Sequence, residues 1–223
     1  LNGQQLTVER IKGVSPIEGQ YDLPLLGDFQ LENATTAIAA LDVLRQTGLD
    51  WITQETFKAG LAQTSWPGRM EVLNRDPLII ADSAHNPYSA ETLVATLERW
   101  FPKKGWILIY GASNDKDIEG MLKALLPASE HVLVTRSYHP RAAAPYVLAD
   151  QCADLGHGAE IAINPKRALE QACRHLTPDL GILATGSIFL AAGIREVWAE
   201  KGKTLTLPRR DWDNEPWHPP TNG

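Results

Sequence analysis

The residues with the greatest chemical capacity in this 223-residue chain fall in one stretch, Ser65 to Pro87, which reads S-W-P-G-R-M-E-V-L-N-R-D-P-L-I-I-A-D-S-A-H-N-P. Its run Leu78-Ile79-Ile80-Ala81 has the composition of a buried parallel strand, and it ends abruptly in Asp82, His85 and Asn86 before Pro87. Open α/β sheets bind ligands at the carboxyl ends of such strands. There a carboxylate at Asp82 can hold a ribose hydroxyl or a cation, and an imidazole at His85 can bind a carboxylate or move a proton. Both also have local work open to them: Asp82 can cap the following turn, and His85 can satisfy backbone groups. Arg69 follows a Pro-Gly turn. Its guanidinium suits phosphate oxygens, or it is a solvated hinge residue. Asn33 opens an Ala-rich helical pattern, where its amide caps the helix or reads the donor and acceptor edge of adenine. Gly186-Ser187 places backbone N–H groups and a hydroxyl at the start of the last helix, a small anion-binding arrangement, although Gly-Ser is common at such turns. In Asp115-Lys116-Asp117, local capping and ion pairing compete with a ligand contact by Lys116.

Holding these groups requires a particular set of elements. Residues 1 to about 26 alternate weakly (Leu6, Val8, Ile11, Val14, Ile17) between glycines and prolines, which predicts short antiparallel strands. From Asn33 the pattern turns helical, with Ala34, Ala37, Ile38, Leu41 and Leu44 on one stripe and Gly48 as a stop. A second helix, about Thr53 to Gln63, turns Phe57 and Leu61 toward the same core. From Trp66 the rhythm becomes strand then helix, repeated. Strands are expected at 78–81, 106–110, 131–135, 160–163 and 181–185, with helices at 88–101, 118–126, 145–156, 166–176 and 188–201. Asp117, Asn164-Pro165 and Pro145 supply caps and first-turn residues. Alternation with short connections predicts an α/β fold, a Rossmann-like, mostly parallel sheet with helices on both faces. The Pro-rich segment 203–223 reads as a flexible tail.

Composition narrows the function classes. A net charge of −6, spread along the chain, lacks the clustered basic face of a nucleic-acid binder, and no apolar stretch is long enough to span a bilayer. Cys152 and Cys173 have no metal-type spacing and fall in predicted helices, so they read as reduced core thiols of a cytoplasmic protein. The chain does not begin with Met, which suggests a truncated or processed product. It contains no G-x-x-x-x-G-K-[ST], no G-x-G-x-x-G after a strand, no nucleophile elbow at Thr185-Gly186-Ser187-Ile188-Phe189 and no cluster with metal-ligand spacing.

Four segments, in this order and spacing, carry a resemblance: Gly27-Asp28-Phe29-Gln30 with Asn33-Ala34, Trp66-Pro67-Gly68-Arg69, Asp82-Ser83-Ala84-His85-Asn86-Pro87, and Gly186-Ser187. Over about 25–200 the chain resembles the C-terminal portion of folylpolyglutamate synthase/dihydrofolate synthase, of the Mur ligase superfamily. The resemblance implies the tail of a central ATPase domain over 1–65 and a Rossmann-like ligase domain over 66–202. It implies an ATP- and magnesium-dependent ligase that joins L-glutamate to dihydropteroate or folate through an acyl phosphate, acting as a monomer. It implies nucleotide contacts by Asn33 and Asp82 toward the nucleoside and Arg69 toward the phosphates. It assigns His85 a catalytic and glutamate-placing part and gives Ser187 a share in holding the glutamate. Two positions depart from the pattern: Phe29 stands where the family often has His, and Ser83 where Gly is common. The P-loop, magnesium ligands and folate-binding loop would precede Leu1, so residues 1–223 alone are expected to be inactive. Two other readings stay open: a sister ligase adding an amino acid to a peptidoglycan precursor, and a non-catalytic Rossmann-like binding module.

Overall fold

The computed structural model describes residues 3–9, 18–49, 51–102 and 104–201. The chain divides into two compact units, Leu1–Arg69 and Met70–Gly223. The tail expected at 203–223 and the turns expected around Gly13 and Pro16 lie outside the described residues.

In the first unit, β1 (Gln4–Val8) pairs antiparallel with β2 (Gly19–Leu23), as the weak alternation predicts. Two helices follow, α1 (Asp28–Gln46) and α2 (Gln54–Ala62), the second opened by a reciprocal Thr53–Thr56 capping box. Val8, Tyr21, Ile38, Ile52 and Phe57 form a small core. Two expectations fail in α1. The helix starts at Asp28, after Gly27 at φ 108°, so Asn33 sits inside it and caps nothing. The buried stripe is Gln30, Ala34, Ile38 and Asp42, while Leu41, Val43 and Leu44 are exposed. Asp42 tolerates complete burial because Arg45 donates twice to Oδ1 (3.0 and 2.8 Å) and Gln46 donates to Oδ2 (3.0 Å).

The second unit begins with β3 (Glu71–Arg75) and β4 (Leu78–Ala81) and continues through α3 (Pro87–Trp100), β5 (Gly105–Tyr110), α4 (Ile118–Leu125), β6 (Ser129–Thr135), α5 (Pro145–Asp154), β7 (Glu160–Ala162), α6 (Pro165–Ala172), β8 (Leu180–Thr185) and α7 (Ile188–Lys201). The strand order is β3-β4-β8-β5-β6-β7. Every neighbouring pair is parallel except β3–β4, so the expected Rossmann-like α/β sheet carries one additional antiparallel edge strand. Side chains alternate between its faces. Ile79, Ile107, Ile109, Leu133, Ile182 and Ala184 pack with Ala168, Leu169, Leu190 and Ile194 of α6 and α7. The opposite face carries Ile80, Leu108 and Tyr110 toward the other helices, with Leu97, Met121 and Leu148 of α3, α4 and α5 buried. Ile79, Ile80, Ile107 and Leu108 expose nothing, and each such side chain contributes roughly 1.5–3 kcal/mol of hydrophobic stabilisation.

Chain direction creates the crevice that matters. Helices α3, α4 and α5 carry the chain outward from β4 to β7 along one face. Helix α6 then returns it along the other, and β8 enters between β4 and β5. The chain therefore leaves β4 and β8, two adjacent strands, toward opposite faces, and the space beyond their carboxyl ends is left open between the departing connections.

Candidate functional site

Asp82 stands at the end of β4. Its amide donates to the Ala184 carbonyl at 2.9 Å, which extends the β4–β8 ladder by one residue. Its carboxylate is 5% exposed and accepts from the Met70 amide at Oδ2 (2.8 Å) and the Ala84 amide at Oδ1 (2.7 Å). Met70 is at φ 46°, a left-handed conformation uncommon for a side chain of its size, and the charge-assisted bond stabilises it there. The turn-capping role is thus present in the structure. His85, which is exposed, has Nδ1 3.0 Å from the Ser83 carbonyl. A carbonyl only accepts, so Nδ1 carries the proton and Nε2 is the ring nitrogen left for a ligand. Asn86 then caps α3 by accepting from the Ser89 amide at 2.8 Å, and Ser89 Oγ accepts in return from the amides of His85 (3.0 Å) and Asn86 (3.1 Å). The D-S-A-H-N-P segment is a braced frame from which His85 projects.

The end of β8 is built differently. Gly186 is at φ 107°, and a Cβ there would lie 2.6 Å from a ring carbon of Tyr110, so only glycine fits. Ser187 is 5% exposed and caps α7: its Oγ accepts from the Phe189 amide at 3.2 Å, and its carbonyl accepts from the amides of Leu190 and Ala191. The hydroxyl hydrogen is left to donate elsewhere. Burial pushes the Tyr110 hydroxyl well above its ordinary value, helped by Cys152 and Asp117 nearby, so Tyr110 stays a neutral wedge between the strands.

Two further loops border the same end of the sheet. The segment after β5 joins the segment after β6 through the Ser113–Ala142 bridge, the Asn114 amide on the Arg141 carbonyl (2.9 Å) and the Ala143 amide on the Ala112 carbonyl (2.9 Å). Asp115 lies 3.3 Å from Arg141 and 3.9 Å from Lys116, so local ion pairing describes Lys116. From the second loop His139 stacks on Phe189 at 4.0 Å between ring centroids. Sequence reading missed His139 entirely; its only trace is a His-Pro-Arg run after a predicted strand.

Asp82, His85 and Ser187 are therefore brought to neighbouring strand ends. Asn33 and Arg69 belong to the first unit: Asn33 is exposed and donates to Gln30 Oε1 at 3.4 Å, and Arg69 is half-buried with its amide on the Trp66 carbonyl at 3.3 Å. Among the described residues no group of three or more His, Cys, Asp or Glu side chains converges as metal ligands, and no helix is long and apolar enough to cross a membrane. Both cysteines are free thiols whose pKa burial raises to about 11, with Glu170 adding to the effect at Cys173. The chemistry available is recognition of an anion by helix-end N–H groups and a serine hydroxyl, beside an imidazole with one open nitrogen.

Comparison with known proteins agrees with this geometry. The family model described as "Mur ligase, glutamate ligase domain" matches residues 68–188. The chain is 35% identical to a probable bifunctional folylpolyglutamate synthase/dihydropteroate synthase of Halobacterium salinarum, over 86% of this chain and 22% of that protein. It is 32% identical to the folylpolyglutamate synthase of Lacticaseibacillus casei, over 87% of this chain and 43% of that one. The solved structure of Mycobacterium tuberculosis folylpolyglutamate synthase complexed with ADP superposes with a TM-score of 0.70 at 29% identity, covering 81% of this chain and 43% of the other. The chain thus spans less than half the length of these relatives. With a matching model over more than half its residues and a shared fold, it belongs to the Mur ligase family, through the glutamate ligase domain.

Proposed function

We propose that this chain is the C-terminal part of an ATP-dependent ligase that joins L-glutamate to dihydropteroate, to a folyl-polyglutamate, or to both, by way of an acyl phosphate. The observation that carries this reading is that His85 and Ser187 follow the carboxyl ends of the adjacent parallel strands β4 and β8, in a chain similar to folylpolyglutamate synthases. Ser187 and the amino end of α7 hold a carboxylate of the incoming glutamate. His85, with Nδ1–H fixed on the Ser83 carbonyl, offers Nε2 to the ammonium group and takes a proton from it. The freed amine attacks the acyl carbon, the new C–N bond forms, and phosphate leaves. Holding the amine in line with that carbon is mainly proximity catalysis.

In this reading Asn33 and Asp82 face the nucleoside and Arg69 the phosphates. Magnesium ligands, the phosphate-binding loop and most of the folate site belong to the portion of the relatives' length that this chain does not span. The first unit is the end of the ATP-binding domain, a reading supported by the exposure of Leu41, Val43, Leu44, Trp51 and Trp66. Two free thiols fit a cytoplasmic enzyme, and the family resemblance is what suggests a monomer.

The test follows ADP release by the full-length protein with ATP, magnesium and L-glutamate, offering dihydropteroate, a reduced folate or a UDP-muramyl peptide separately. Release that needs both glutamate and a pterin substrate is the expected result. Release with the muramyl substrate alone moves the chain to the peptidoglycan ligases, and silence with all three overturns the ligase reading. Turnover by residues 1–223 alone overturns the division of the site between this chain and the part of the relatives' length that it does not span.

A further inference from the structure

His139 plays no part in the reading above, yet its surroundings are specific. Its ring lies on that of Phe189, 4.0 Å between centroids and 18° between planes. The Phe189 amide in turn donates to Ser187 Oγ, so the imidazole rests against the first turn of α7. The loop that carries it is held by the Ser113–Ala142 bridge and the two backbone bonds beside it, and the Ala142 amide donates to the His139 carbonyl at 3.0 Å. The backbone amide of Arg141 donates to His139 Nδ1 at 3.2 Å. A nitrogen that accepts carries no proton, so the neutral ring has its proton on Nε2. His85 is the mirror case, with the proton on Nδ1 and Nε2 open. One imidazole at this end of the sheet therefore offers a lone pair and the other an N–H.

Among the described residues nothing accepts from His139 Nε2, while the adjoining cations Arg141 and Lys116 are engaged with Asp115. A stacked ring also loses little rotamer freedom when a ligand binds, which favours it as a fixed donor. We propose that His139 is a substrate-binding residue of this site, donating from Nε2–H to a carboxylate oxygen of the amino acid held at the amino end of α7. The proposal rests on the ligase reading and names a determinant of its amino-acid selectivity.

Two substitutions in the full-length protein test it. His139→Phe keeps an aromatic ring on Phe189 and removes the donor, while His139→Gln restores an N–H near the position of Nε2. ADP release gives KM for L-glutamate and for ATP separately, and urea unfolding shows that each variant folds. The Phe variant is expected to raise KM for L-glutamate about 10- to 100-fold, as loss of a hydrogen bond to a charged group implies, with KM for ATP within about twofold of the parent. The Gln variant is expected to recover most of the loss. An unchanged KM for L-glutamate in a folded Phe variant overturns the proposal, and so does a parallel rise for both substrates, which marks a displaced loop. If the parent itself shows no glutamate-dependent ADP release, the ligase reading falls and this proposal with it. If the parent turns over and the Phe variant matches it, only the His139 assignment falls.

Discussion

The strands β4 and β8 are adjacent and parallel, and both end in a turn that starts a helix, but the two turns are made in opposite ways. After β4 the polar groups are spent internally: Asp82 takes two backbone amides, Asn86 and Ser89 cap one another, and His85 alone projects with an open nitrogen. After β8 little is spent. Gly186 lets the backbone pass close to Tyr110, Ser187 uses a lone pair but keeps its proton, and Ile188 and Phe189 stay 56% and 41% exposed. A site needs both kinds of turn. The first fixes where the crevice is, and the second leaves donors and apolar surface for what enters it.

Breaking the first turn should have the largest effect. Asp82→Ala leaves the amides of Met70 and Ala84 without their acceptor, and with Met70 held at positive φ the loss should be about 2–5 kcal/mol. Urea unfolding of this chain measures it, and an unshifted midpoint would show that the carboxylate does not brace the turn. Ser187→Ala sharpens the contrast. Loss of a helix cap should lower stability by only about 1 kcal/mol, while under the proposed ligase function KM for L-glutamate in the full-length protein should rise out of proportion. A stability loss with unchanged KM would make Ser187 a cap and nothing more.

The smallest effect at working pH concerns the thiols, one on each side of the sheet's helical layers. Folded-state values of about 11 lie above the ordinary 9.0, so at neutral pH both states keep the proton and stability is unaffected. As pH rises from about 9 to about 11 the unfolded chain releases protons that the folded chain retains, and stability falls across that window. Unfolding midpoints against pH check this, with a Cys152→Ala, Cys173→Ala double variant expected to show less of the decline.

The fold was largely legible because its signals were local. Apolar runs such as Trp106–Tyr110 and first-turn residues such as Pro87 and Pro165 state their own element. Strand β3 escaped because its residues are mostly half-buried, its register shifts between Val72 and Asn74, and it runs against the expected strand-then-helix rhythm. Asn33 was misplaced as a cap because the Ala-rich pattern outweighed the true start at Gly27-Asp28, where a positive-φ glycine and an acidic first-turn residue were available as signals. The apolar stripe of α1 was misread because polar residues are buried in it with partners, Asn33 for Gln30 and Arg45 and Gln46 for Asp42, which periodicity does not weigh. Of the candidate site, Asp82, His85 and Ser187 were visible as strand-end residues. The stack of His139 on Phe189 joins positions 50 residues apart in a 223-residue chain, and no local pattern encodes it.

The strand order has a consequence for how such a protein is made. β8, the last of the described strands to be synthesised, belongs between β4 and β5, strands completed some 70 to 100 residues earlier. Until Leu180–Thr185 leaves the ribosome, β4 and β5 lack the neighbour that satisfies their inner edges, and a nascent chain carries two apolar strands each with one open edge. Closure of the sheet and assembly of the β4–β8 crevice are then the same late event. Chains interrupted before β8 should be aggregation-prone rather than merely weak, and the crevice can bind nothing until synthesis of the sheet is complete.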